Sequence, residues 1–345
     1  MAQQATIIPI AGGKGGVGKT FVAANLAVAL AKRGHSTIAV DLDLGNSNLH
    51  SFLGLRNRYP GVGEYLRGTV KCSPQELVVK TSVPNLEFIP GDGRMPFMAN
   101  ISYPEKQKLR RLLNALEAEY VLVDLSAGTA FNTLDLFRVS GSGIIVTTPE
   151  HPALMSTLVF VRGLVLREID ESLRHDKSLK EALSELKKQT VKDRVFSVER
   201  FRSMIENSHP EAAEKVEDIC RSIRLRFVYN MIERMQDTEI FSRIDHTLAH
   251  DFSIECDHIG LVPFDPAVRQ ILRHPGIFLD KAANSSTAVT IDRVARRIVS
   301  YWNIPIEGSA ELLRNYALTV FSEEPLDGEQ PPIVRTNRNA NAIRT

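Results

Sequence analysis

The chain has 345 residues, 43% of them hydrophobic and 24% charged, with 42 Lys and Arg against 41 Asp and Glu. That apolar fraction excludes global disorder, and a net charge of +1 excludes a protein that coats nucleic acid by bulk electrostatics. Cys72, Cys220 and Cys256 form no C-x-x-C pair, which argues against a disulfide scaffold, a thiolate zinc site or a multi-cysteine iron–sulfur motif.

Thr6–Ala11 (TIIPIA) reads as a buried strand despite Pro9, and Lys19–Lys32 as a helix that is apolar over most of its surface. Ser36–Leu42 and the short Asn85–Pro90 read as strands, and Pro104–Glu119 as a charged amphipathic helix. Tyr120–Leu125 and Gly143–Thr148 are continuous apolar strands, and Arg226–Ile232 and His258–Phe264 supply two more. Strands apolar on both faces and spaced by helices predict a doubly wound, mostly parallel α/β sheet with helices on both faces. Between the Gly143 and Arg226 strands lie roughly 60 residues, about 167–224, where a βαβ crossover needs only one helix. Their mixed charges and helical composition predict a helical insertion, read either as solvated bulk or as a partner-binding surface. The tail from Glu323 is rich in Pro, Asn and Arg and is expected to be disordered. No run of about 18 apolar residues and no leader sequence is visible, so the expectation is a soluble protein of the cytoplasm.

The strongest motif is Gly12-Gly13-Lys14-Gly15-Gly16-Val17-Gly18-Lys19-Thr20, which satisfies GxxxxGK[ST] from Gly13 and stands between a strand and a helix. Glycines let the backbone fold around an anion with successive N–H groups pointing inward, and the helix start adds its positive dipole end. Lys19 is then placed to neutralise β- and γ-phosphates, and the Thr20 hydroxyl to ligate Mg²⁺, with Phe21 next in the helix. Asp41 and Asp43 (VDLDLGNSNL) close the second strand, at the end that faces the ligand crevice of a parallel sheet. Being two residues apart they share a face. Asp43 is the candidate for polarising the attacking water, and Asp41 for holding a metal-bound water; the competing reading is that either caps the following turn. Asp124 ends YVLVDL, the pattern of an acid behind Mg²⁺. Asn230 ends RFVYN, where an amide can match the adenine edge, unless it only caps a turn. The guanine-reading NKxD is absent after Asn230, which favours ATP.

KGGVGKT resembles the deviant Walker A motif of the MinD/ParA family of ATPases, and DLDLGNSNLHSFLG and TPEHPALMSTL resemble its MinD/FlhG branch. The resemblance implies a P-loop ATPase domain over residues 1–304, followed by a helix at 305–322 and the 323–345 tail. It implies that Lys14 reaches the nucleotide of a second copy, as a cation delivered in trans. It places switch residues at Asn48 and Gly128, an adenine reader at Asn230 and a base-covering loop at Pro263, Phe264 and Asp265. The implied activity is slow, dimer-dependent ATP hydrolysis that positions division, flagellar or polar machinery; the alternatives are a ParA-like partitioning ATPase or a metabolic enzyme on the same fold. The implied partners are a homodimer formed with ATP, and a protein activator or cargo docked on the switch surface or the helical insertion. Two departures stand out: Ser126 replaces a common proline, and Ser156 a common aspartate. Glu311–Phe321 is amphipathic but carries one basic residue, so packing on the protein's own surface competes with peripheral membrane binding. Arg293, Arg296 and Arg297 form a basic run that either touches DNA or is a solvated face.

Overall fold

The computed structural model describes residues 4–91, 101–173, 180–181, 183–184, 197–271 and 273–321. The strands are β1 (Thr6–Ala11), β2 (Thr37–Leu42), β3 (Val79–Lys80), β4 (Leu86–Ile89), β5 (Tyr120–Leu125), β6 (Ser142–Thr147), β7 (Arg224–Ile232) and β8 (Cys256–Pro263). They form one sheet in the order β3-β4-β2-β5-β1-β6-β7-β8, parallel throughout except for the edge pair β3–β4. Pro9 is tolerated in a central strand because the β1–β6 ladder holds only Ile10 and Ala11, beyond the position where a proline N–H is missing.

The described helices are α1 (Lys19–Lys32), α2 (Leu49–Phe52), α3 (Val62–Arg67), α4 (Tyr103–Asn114), α5 (Phe131–Phe137), α6 (His151–Ser172) and α7 (Val198–Ile205). They continue with α8 (Pro210–Ser222), α9 (Glu239–Phe252), α10 (Pro266–Ile271), α11 (Phe278–Lys281), α12 (Ser286–Tyr301) and α13 (Ser309–Phe321). Strand side chains alternate between two cores. Ile8 and Ile10 of β1, Ala39 of β2 and Leu122 of β5 pack under α1 and α12. Ile7, Val40, Val121 and Val123 pack on the other face, under α4, α6 and α9. The apolar-all-round α1 is explained by its place: it is covered by the sheet on one side and by α12 and the short α2 and α11 on others.

Several boundaries differ from the sequence expectation. β7 and β8 each begin two residues earlier, at Arg224 and Cys256. α6 runs unbroken through Arg167 to Ser172, so the start expected for the insertion falls inside a helix whose apolar face is already in the core. α7 and α8 are not merely solvated: Val198, Phe201, Ile205, Val216 and Cys220 are buried in the same core as β7. Their polar composition hid a narrow apolar stripe. Residues 174–179 and 185–196 of the expected insertion, and the 323–345 tail, lie outside the described residues.

α13 buries Leu313 and Ala317 against the α9 side of the sheet. It also recruits the basic run of α12: the Arg293 guanidinium stacks 3.9 Å over the Tyr316 ring, and Arg297 donates to the His258 carbonyl at 3.1 Å. Arg296 stays near Asp292, at 3.5 Å. No described helix is long and apolar enough to cross a membrane. If α13 is part of the folded core, Leu313→Ala costs about 2–5 kcal/mol in chemical denaturation. Leu312→Ala, on the exposed face of the same helix, stays within about 0.5 kcal/mol. Equal small effects of both would show that α13 does not depend on this packing.

Candidate nucleotide site

The site lies where β1, β2 and β5 end. β1 runs into the glycine loop, and α1 begins at Lys19 with Gly18 as its N-cap residue in left-handed backbone (φ 84°). No side chain caps this helix start, so its first N–H groups are left for a ligand, and their dipoles favour an anion. Only glycine fits at two positions. A Cβ on Gly13 would overlap the backbone of Ser156 in α6, and one on Gly18 would overlap the Asn230 amide. Lys19 is buried under the loop, whereas Lys14 is exposed at its crest.

Asp41 and Asp124 sit opposite each other in the β2–β5 ladder, and both are fully buried. Burial holds both carboxyls well above the usual carboxylate range; for Asp124 the negative charge of Asp41 adds to the effect, while Lys19 and a hydrogen bond from Thr20 oppose it. The Asp124 Oδ1 has no hydrogen-bond partner among the described residues. An orphaned carboxylate oxygen beside a second buried acid and a threonine hydroxyl is a donor set that fits a hard divalent cation. The oxygens of Asp41 are engaged differently: Oδ1 accepts from the Asp43 N–H at 3.0 Å, and Oδ2 from the Ser47 hydroxyl at 2.6 Å and the Leu49 N–H at 3.1 Å. Asp41 therefore anchors the loop that carries Asp43 and Asn48, as the turn-capping reading expects.

Asp43 is half-buried, and its Oδ1 accepts the Ser126 hydroxyl at 2.9 Å. Two residues on, the Gly128 N–H donates to the Gly12 carbonyl at 3.1 Å, with φ 93° at Gly128. At the far end, the β7–β8 register slips between Asn230 and Ile232, with Met231 in the left-handed region at φ 58°. Such a bulge re-aims its neighbours. The Asn230 amide donates to the Val17 carbonyl at 2.9 Å, which ties the end of β7 to the phosphate loop and commits one of its two N–H groups. Phe264 is about one-third exposed, and its N–H bonds the Ile232 carbonyl.

These elements enclose a cleft of ≈ 570 Å³. Of the residues singled out from the sequence, Gly15, Gly16, Gly18, Lys19, Thr20, Phe21, Asp43, Asn48, Asn230, Pro263, Phe264 and Asp265 line it. Gly13, Val17, Asp41, Asp124 and Gly128 do not line it, nor does the exposed Lys14. Sequence reasoning missed Phe52, Met231 and Arg269, which also line the cleft, because nothing in their local sequence marks them. It marked Ser126 only as a departure from a family pattern, not as a partner of Asp43. Chemically, the cleft joins a cationic amide cradle to an acidic wall and to an apolar, amide-bearing end. That is the polarity of a nucleoside polyphosphate read from phosphate to base.

A family model described as the CobQ/CobB/MinD/ParA nucleotide binding domain matches residues 8–274. The chain is similar to the septum site-determining protein MinD of Helicobacter pylori, 35% identical over 153 residues, which are 44% of this chain and 55% of that protein. It is similar to the flagellum site-determining protein YlxH of the same organism, 32% identical over 159 residues, 45% of this chain and 52% of that one. The matched region thus spans about half the length of these curated relatives. In structure it is similar to the septum site-determining protein MinD of Pyrococcus horikoshii complexed with Mg-ADP, with a TM-score of 0.55 and 19% identity over 88% of this chain and 99% of that one. At that identity the likeness is one of fold. The glycine cradle, the acidic strand ends and a family match over most of the chain lead to one conclusion: the chain belongs to the CobQ/CobB/MinD/ParA nucleotide-binding domain family.

Proposed function

We propose that this chain is an ATP-hydrolysing switch that dimerises with ATP bound and positions cell-division, flagellar or polar machinery. The observation that carries the reading is the convergence of the uncapped α1 start, Lys19 and Thr20 on one cleft, with Asp124 beside Thr20 and Lys19, and with Asn230 and Phe264 also lining that cleft. The loop amides and Lys19 grip the phosphates, and Thr20 with Asp124 behind it holds Mg²⁺, which when bound neutralises charge on the phosphate oxygens. Asp43 orients and polarises the attacking water, and the Ser126 hydroxyl fixes the rotamer of Asp43. Asp41 acts from behind, by holding the loop that presents Asp43. The Phe264 ring covers the base and Asn230 offers its remaining amide groups to the adenine edge.

Dimerisation is supported by the surface around the loop. Lys14 is exposed there, as delivery in trans requires, and Phe131 (71% exposed), Met155 (46%) and Val159 (38%) are apolar on the adjoining α5 and α6. The positioning role is supported by what the similar curated proteins are named for, septum and flagellum siting. The exposed switch segments, and the helices within 167–224, are the surfaces we assign to an activator or cargo. Cytoplasmic residence, with transient recruitment to the membrane or cell pole, completes the proposal.

Lys19→Ala is expected to weaken ATP binding by about 10–100-fold, the worth of one charge-assisted contact, measured by fluorescent-nucleotide titration. Retained affinity would refute the phosphate-loop assignment. With ATP and Mg²⁺, Asp43→Ala is expected to hydrolyse about 10²-fold or more slowly and to elute as a more complete dimer than wild type on size exclusion. Ser126→Ala should lose only about tenfold in kcat with ATP affinity unchanged, as befits one positioning hydrogen bond. Monomers throughout would sink the switch. In Asp124→Asn the penalty of ionising a buried carboxyl is gone. Since the folded pKa is raised, wild type loses that stability as pH rises from about 4 towards neutrality. The nucleotide-free variant should therefore melt higher than wild type near neutral pH, converge with it in acid, and lose the extra stabilisation that Mg²⁺ adds to ATP.

A further inference from the structure

At the opposite end of the edge strand β8, a second cluster of chemically reactive side chains has no part in the nucleotide site. Cys256 and His258 are two residues apart on β8 and therefore share a face. That face is covered by α9, which brings Asp245 over them. The His258 Nε2 lies 2.7 Å from the Asp245 Oδ1, the Cys256 Sγ lies 3.3 Å from the same oxygen, and Sγ and Nε2 are 3.6 Å apart. One sulfur, one nitrogen and one oxygen ligand thus converge on a single point.

We infer that Asp245, Cys256 and His258 form a binding site for a single zinc-class divalent ion, with an open fourth position. In a tetrahedral site with Zn–S near 2.3 Å and Zn–N and Zn–O near 2.0–2.2 Å, ligand atoms stand roughly 3.3–3.6 Å apart. Two of the three separations already match, and the third opens by about 0.7 Å once the ion replaces the direct His258–Asp245 hydrogen bond. The imidazole is held for this task. It is fully buried, stacked 5.6 Å from the Tyr229 ring at 9°, and its Nδ1 meets the Tyr229 hydroxyl at 2.6 Å. A hydrogen-bonded second nitrogen is the usual device that sets the tautomer of a metal-ligating histidine. Asp257 is engaged by the Ile306 N–H and by Arg226, and among the described residues the carboxylate that converges with Cys256 and His258 is Asp245.

Access and proton balance both work. Asp245 and Cys256 line a cleft of ≈ 660 Å³, shared with the 305–309 segment, through which an ion enters and where a water completes the coordination. Burial and the acidic neighbours Asp245, Asp257 and Glu255 keep the metal-free Cys256 a thiol. Binding releases that proton to solvent and leaves the imidazole N–H on Nδ1, facing the Tyr229 oxygen. From His258 to Pro263 the strand runs roughly 16 Å, so this site is separate from the nucleotide cleft. Its immediate effect is to fasten the edge strand to α9.

The test uses the full-length, metal-stripped protein with excess Mg²⁺, titrated with Co²⁺ alone and then with Zn²⁺ alone. The expected result is a near-ultraviolet thiolate-to-cobalt charge-transfer band that saturates at a single ion per chain, reverses with Zn²⁺, disappears in Cys256→Ser and persists in Cys72→Ser. Cys256→Ser should fold like the metal-free wild type by circular dichroism and bind nucleotide equally well. Should it not fold, Asp245→Asn decides, since that side chain is about half exposed. Asp245→Asn should keep the band and weaken zinc binding at least about tenfold, the minimum cost of losing even an outer partner of a metal site. Absence of the band in wild type, its survival in Cys256→Ser, or undiminished zinc affinity in Asp245→Asn would overturn the site.

Discussion

Two carboxyl groups placed side by side in a dry interior set the terms for the ligand end of this molecule. Asp41 and Asp124 face each other across adjacent parallel strands, and neither reaches water. Such a pair is costly unless each charge is met by donors or by a cation. Asp41 is met by three donors from its own loop. Asp124 is met only in part, by Thr20 and the nearby charge of Lys19, and one of its oxygens has no partner among the described residues. The interior is therefore built with a deficit of positive charge at one point, directly behind a cradle that lacks negative charge. On the function proposed above, a magnesium–polyphosphate ligand fills both deficits at once.

The same small region is also where separate chain segments are tied together by single contacts. The Asp41 carboxylate holds the loop of Asp43, Ser126 bonds Asp43, the Gly128 N–H bonds Gly12, and Gly13 lies directly against α6 at Ser156. The glycine loop, the segments that carry Asp43 and Gly128, and the start of α6 are thus joined within one small region. On the proposed function, contacts this sparse and this local are the kind that rearrange when one phosphate leaves. The departure Ser126 belongs to this network, where a proline would offer Asp43 no hydroxyl. The departure Ser156 belongs to it through its backbone alone, which lies against Gly13, since its hydroxyl turns back to the Pro152 carbonyl.

At the other end the structure solves a different problem, an exposed edge. β8 is the last strand of the sheet, and the 305–309 segment and α13 close it over: Ser309 accepts the His258 N–H, and Asp257 accepts the Ile306 N–H. Leu313 and Ala317 of the C-terminal helix are buried in this closure, and of the basic run of α12 Arg293 and Arg297 are engaged in it, while Arg296 stays exposed beside Asp292.

Local chemistry was legible in the sequence wherever it is written in consecutive residues. The glycine loop with its flanking strand and helix, the doubly wound sheet and the acid at the end of β5 all follow from short-range pattern, because strand burial and phosphate cradling depend on neighbours along the chain. Pairing across the chain was not legible. That Asp41 would spend its oxygens on a loop, that Asn230 would lean on Val17, that Ser126 would reach Asp43, and that Cys256 and His258 would meet Asp245 depend on register, on the bulge at Met231 and on where β8 begins. Sequence alone determined the class of fold and the glycine loop between β1 and α1, since both rest on periodicity and backbone freedom. Only the tertiary structure decided which polar groups are satisfied and which are left waiting, since that balance is struck between segments far apart in the chain.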